Sequence, residues 1–116
     1  MSRRDDRVTL AQMLDTAREM EAAVHGRTLD ELRTNRMFEL ALLHLFVQLG
    51  ETSRRITSEG RTQHAAIPWH QINGMRNWVV HLYDRVDLAL VWAVVDTRLP
   101  ALRDTVVRAL AALPPE

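Results

Sequence analysis

The chain has no cysteine, no lysine, one tyrosine and four glycines in 116 residues. Without cysteine, disulfides and thiolate metal centres are excluded, and the composition fits a cytoplasmic setting. Without lysine, the fifteen basic residues are all arginine, balanced by fifteen Asp and Glu to a net charge of zero. Arginine suits phosphate because its planar fork engages two oxygens at once, but wholesale replacement of lysine is better read as coding bias than as function. Neutrality excludes broad attraction to a polyanion, so any nucleic-acid contact has to be local or pooled between two chains. No apolar run approaches the roughly 18 residues of a membrane span. The stretch Met1–Arg7 lacks the apolar segment of a signal peptide, so neither membrane nor export is expected. The five histidines, at 25, 44, 64, 70 and 81, include no pair with the four-residue spacing of a helical zinc site. No metal or other cofactor is expected.

The length predicts one domain over 1–116. Scarce glycine and the absence of period-two alternation leave helices as the building elements. A first helix is predicted from about Arg7 to Val24, with Leu10, Met13, Leu14, Ala17, Met20 and Val24 on one stripe and Gly26 as its stop. Thr28 reads as the N-cap of a long second helix reaching about Ile56, with Leu32, Leu40, Leu43, Phe46, Val47 and Gly50 inward. Gly50 inside that helix implies close packing or a bend. Residues 57–67 read as the one sizeable loop and the most mobile segment. Pro68 opens a third helix to about Leu82. Asp84 or Asp87 caps a fourth, which either kinks at Pro100 or stops near Arg98 to let a fifth begin. The fold class expected is all-α, an up-and-down bundle of four to five helices.

The third helix concentrates the chemistry. On a wheel of about 100° per residue, His70, Asn73, Gly74, Asn77 and His81 share one arc almost free of bulky apolar groups. Trp69, Ile72, Met75, Val79, Val80 and Leu82 cover much of the rest. Arg76 and Tyr83 share a line at the centre of the apolar arc, where a guanidinium is costly unless paired. Glu51 is the obvious partner. The plain reading is then a buried ion pair pinning two helices, with His81 a structural imidazole near a helix end and Tyr83 an amphipathic rim residue. The chemical reading needs Arg76 and His81 to converge. Five residues apart, they diverge by about 140° on an ideal helix. They meet on one substrate only if the helix ends near His81 or a second chain supplies half the site. Trp78, on neither arc, is spare apolar surface for such a dimer.

Arg76, four intervening residues, His81, one residue and Tyr83 together resemble the Arg-x-x-x-x-His-x-Tyr signature of HEPN-domain ribonucleases, specifically the HepT-like (DUF86) group. Gly50-Glu51, Pro68-Trp69, Ile72-x-Gly74-Met75-Arg76-Asn77, Val86-Asp87, Trp92 and Leu99-Pro100 extend the likeness in order and spacing, from about residue 8 to 110. The resemblance implies a HEPN-like bundle that forms a homodimer and brings two motif copies to one cleft. It implies a metal-independent RNA endonuclease, the toxin of a toxin–antitoxin pair whose partner is an MntA-type nucleotidyltransferase. It further implies that this partner silences the toxin by AMPylation, making a phosphoprotein at the motif tyrosine, Tyr83. On these residues His81 would exchange protons with a ribose 2′-OH or the leaving oxygen. Arg76 would stabilise charge on the phosphate, Asn77 would hold the phosphate or orient the imidazole, and Glu51 would position Arg76.

Two rivals stand beside this. One is a non-catalytic HEPN module that binds a nucleotidyltransferase, with Arg76 and His81 purely structural. The other is a bundle that binds a nucleotide through Arg76 and the polar arc. An open cleft exposing both His81 side chains across a two-fold axis favours the nuclease, and a packed His81 does not. His25, His44 and His64 default to surface or core roles, while His70 is a weak candidate for substrate contact.

Overall fold

The apolar stripe of the first segment folds as predicted. In α1 (Arg3–Val24), Leu10, Met13, Ala17 and Met20 are fully buried. Gly26, at a φ of 71°, takes the left-handed conformation that closes the turn after the helix. The structure, a computed structural model, describes residues 3–82 and 84–115, with side chains from Asp5 onward. Among these residues there are seven helices and no strand. The expected all-α bundle is therefore present, its five longer helices joined by two helices of six residues each.

Those two short helices correct the sequence reading. The long second helix is divided into α2 (Leu29–Thr34) and α3 (Arg36–Ser53). Thr28 caps α2 as expected, its hydroxyl accepting from the Glu31 N–H at 3.2 Å. Asn35 then leaves the helical region, with φ −109° and ψ 99°, and its side-chain oxygen accepts from the Phe38 N–H at 3.1 Å. A side chain able to replace a backbone acceptor made the break affordable. In α3, Leu43, Phe46 and Gly50 face inward as expected, joined by Phe38, Leu42, Leu45 and Leu49, while Leu40, expected in the core, is 41% exposed. Val47 is only half-buried.

The segment 57–67, expected to be a mobile loop, contains α4 (Ser58–Gln63) and is tied to α1. Thr57 caps α4 by accepting from the Gly60 N–H at 2.9 Å. The Thr57 hydroxyl and backbone N–H both donate to the carboxylate of Asp6, at 2.6 and 2.9 Å. Asp6 is 5% exposed. A buried carboxylate has to find donors, and both come from Thr57, the N-cap of α4. Hydrogen bonds to a charged group contribute about 1.5–3 kcal/mol. Asp6→Ala is accordingly expected to lower unfolding free energy by about 2 kcal/mol in urea titrations, whereas exposed Asp15→Ala shifts it by less than about 0.5 kcal/mol. Equal effects would deny the tether its role.

α5 (Trp69–Leu82) begins after Pro68, whose carbonyl accepts from the Ile72 N–H at 3.0 Å. Asp87, rather than Asp84, caps α6 (Leu88–Thr97), accepting from the Ala89 and Leu90 N–H groups at 3.0 and 3.4 Å. Pro100 lies in the first turn of α7 (Leu99–Ala112), where its missing N–H is harmless, so the helix stops at Arg98 and restarts rather than kinking. α3 is the centre of the assembly, packed by α1 and by α5, with α7 against α1 and α6 joining α7 to α2. Trp92 meets Phe38 edge-on at 6.4 Å between centroids, fastening α6 to α3. No described helix is long and apolar enough to cross a membrane.

Candidate active site on the fifth helix

The two faces of α5 separate much as its wheel implies. Trp69, Ile72 and Val79 are buried, while His70, Gly74, Asn77 and His81 are exposed and Asn73 is half-buried. Val80 departs from the expected apolar face, being 40% exposed. Trp78, expected as spare apolar surface, is half-buried and packs against the core.

Arg76 occupies a prepared position. A Cβ built on Gly50 would fall on the Cβ and Cγ of Arg76. The glycine in α3 is therefore a notch for the arginine stem, which explains its place inside a helix. The guanidinium emerges beside the next residue of α3, where Nη2 pairs with Glu51 Oε1. Nη1 donates to Asn77 Oδ1 at 2.9 Å. The expected Arg76–Glu51 pair is thus present, but only partly buried, with side-chain exposures of 21% and 45%. Partial exposure keeps the charge reachable from solvent, as a phosphate ligand requires.

Asn77 bonds to Arg76, not to His81. With its oxygen accepting from Arg76, the amide NH₂ is left directed away from that bond, available as a donor. His81 lies in the last turn of α5, exposed and without a side-chain hydrogen bond to any described residue. Arg76, Asn77 and Glu51 are therefore one connected group, and His81 stands apart from it on the same open surface. Tyr83, the expected modification site, lies outside the described residues.

Other features fall away from this group. An apolar concavity of about 360 Å³, lined by Met20, Phe46, Leu49, Met75, Leu99 and Leu102 among others, includes none of the candidate chemical residues. Among the described residues no three His, Asp or Glu side chains converge as metal ligands do. His64, assigned by default to surface or core, is buried, and its carbonyl accepts from Trp69 Nε1 at 3.1 Å. Arg61, which no sequence signal singled out, reaches a second concavity at the start of α5 together with His70.

Comparison with known proteins agrees with the resemblance. No solved structure matches the chain. A protein of Methanocaldococcus jannaschii named as a candidate RNase is 28% identical over 106 residues, covering 91% of this chain and 97% of that one. A second protein of that organism, named as a gamma-glutamylcyclotransferase and candidate RNase, is 26% identical over 96% of this chain and 50% of its own length. A protein of Thermococcus cleftensis named as a candidate ribonuclease HepT is 29% identical over 65 residues, 56% of this chain and 59% of that one. The family pattern described as ribonuclease HepT-like matches residues 13–109. With that span covered and the helical bundle in place, the chain belongs to the HepT-like (DUF86) family of HEPN proteins.

Proposed function

We propose that this protein is a metal-independent RNA endonuclease whose catalytic residues are Arg76, Asn77 and His81. Membership of a ribonuclease family supports RNase activity in general. The observation that carries the finer reading is the arrangement on α5: an arginine seated by Gly50 and Glu51, an amide fixed by that arginine, and an exposed, unpartnered histidine. A packed His81 would have favoured the purely structural rival.

The step is a transesterification. A ribose 2′-oxygen attacks the adjacent phosphorus, the bond to the 5′-oxygen breaks, and the products are a 2′,3′-cyclic phosphate and a free 5′-hydroxyl. One imidazole takes the 2′-OH proton and another protonates the leaving 5′-oxygen. A homodimer supplies both, His81 from one subunit and the partner subunit's His81. Arg76 and the Asn77 NH₂ meet the charge that grows on the phosphate oxygens. Glu51 touches no substrate and acts as a positioning residue. Neutral net charge leaves binding dependent on these local contacts.

The protein acts in this reading as the toxin of a toxin–antitoxin pair in the cytoplasm, silenced by an MntA-type nucleotidyltransferase that attaches AMP to Tyr83. The phosphate of AMP adds negative charge beside the cleft and repels an RNA backbone. The purified chain is expected to cleave RNA in excess EDTA. Incubation with the nucleotidyltransferase and ATP is expected to stop cleavage as a mass increase in multiples of one AMP maps to Tyr83, the sole tyrosine. Dependence on added divalent metal, or modification at another residue, would contradict the proposal.

A further inference from the structure

The polar arc of α5 continues past the catalytic group. From His81 it runs through Asn77 and Asn73 to His70, a distance of about 16 Å at 1.5 Å per residue. At that far end is an open concavity of about 440 Å³, bounded by Arg61 of α4 and by His70, Gln71 and Asn73 of α5. Ile67, Pro68 and the largely buried Trp69 give it an apolar side. The guanidinium of Arg61 is exposed and has no carboxylate or hydrogen-bond partner among the described residues, and the His70 imidazole is likewise open. Asn73 adds a second kind of observation. Its Oδ1 is shielded from solvent and bonds to no donor, an unsatisfied acceptor on a residue that lines the concavity. Buried polar atoms in folded proteins are normally paired, and those that are not call for an explanation.

These groups match the parts of a nucleotide. A base needs an apolar surface and amide groups that read its edge. The half-buried Pro68 supplies the first, and Gln71 with Asn73 the second. The attached phosphate needs a cation, which Arg61 supplies, and a hydrogen-bond donor, which the open His70 imidazole offers beside it. We propose that this concavity is a subsite for an unpaired nucleotide of single-stranded RNA, several nucleotides along the strand from the phosphate cleaved at His81. A rotation of the Asn73 amide brings its unsatisfied oxygen to a donor on the base. This inference rests on the nuclease reading for the identity of its ligand, not for the existence of the site.

The test uses the full chain and an RNA of about six nucleotides, 2′-O-methylated so that it cannot be cleaved. Fluorescence anisotropy is expected to show binding by the wild type, weakened about ten-fold in Arg61→Ala and in Asn73→Ala, a loss in the range of one stacked base. Arg33→Ala, which removes the same charge from exposed α2, is expected to weaken binding by less than about two-fold, the salt-screened share of a distant charge. In parallel, the kcat/KM ratio of an unmodified RNA of that length to a dinucleotide is expected to fall about ten-fold in Arg61→Ala. No binding by the wild type, or equal losses in Arg61→Ala and Arg33→Ala, would overturn the subsite. Wild-type binding with the expected losses but no cleavage of any RNA would overturn the nuclease and leave the subsite standing. Cleavage of both substrates with an unaltered ratio in Arg61→Ala would do the reverse.

Discussion

His81→Ala is expected to lower RNA cleavage by a factor of about 10² to 10⁴ without weakening the fold. The size follows from the role: a positioned imidazole that moves a proton in the transition state contributes that much, and in a homodimer one substitution removes both the acid and the base. The stability half follows from the surroundings. His81 is exposed and donates to and accepts from no described side chain. Its loss is expected to change unfolding free energy by less than about 0.5 kcal/mol, the usual range for surface positions. Rates in EDTA and urea midpoints on the same preparations check both parts. Full activity in the variant would remove His81 from the mechanism. A stability loss above about 1 kcal/mol would make it the structural imidazole of the rival reading.

Gly50→Ala tests the arginine seat, and here two effects oppose. Glycine inside a helix is worse than alanine by up to about 1 kcal/mol, so on α3 alone the substitution would stabilise. The added methyl, however, would overlap the Cβ and Cγ of Arg76. Those atoms are the root of the side chain, not its flexible end, so α3 and α5 have to move apart. Overpacking of this kind costs about 1–3 kcal/mol. The net expectation is destabilisation of about 1 kcal/mol together with at least a ten-fold loss of cleavage, since a displaced guanidinium no longer meets the phosphate. Arg76→Ala in the Gly50→Ala background is expected to recover the stability but not the activity, because it removes the overlapped stem. A Gly50→Ala protein more stable than wild type and fully active would show that the seat does not matter.

The parts of the site that were legible in the sequence share one property: local constraint. A glycine and an acid side by side in one helix, and an arginine on the apolar face of another, each lack a satisfactory environment alone, so their pairing could be inferred. The open arc of α5 was legible because helical period and polarity agreed. Other parts depended on competition or distance. Residues 37–49 of α3 are apolar on nearly every side, so period alone did not fix which stripe faces inward, and Leu40 was misplaced. Asn35 lies just before that run, in a polar stretch between Thr34 and Arg36 that does not itself mark a break, although its capping chemistry was there to be read. α4 depends on Asp6, 51 residues before its cap, and no local pattern reports such a bond. The Arg76–Asn77 contact defeats a wheel, which places neighbours about 100° apart and ignores how far a long arginine stem can curl.

That distant bond has a kinetic meaning. A contact closing 51 residues forms only after the entropy of a long loop has been overcome, and the docking of α1 on α3 brings its two ends together. α4 has six residues and too few internal bonds to persist alone. Its amides should therefore exchange with solvent in step with the opening turn of α1, as one cooperative unit, and Arg61 should gain a fixed position only when the beginning of the chain has found its place.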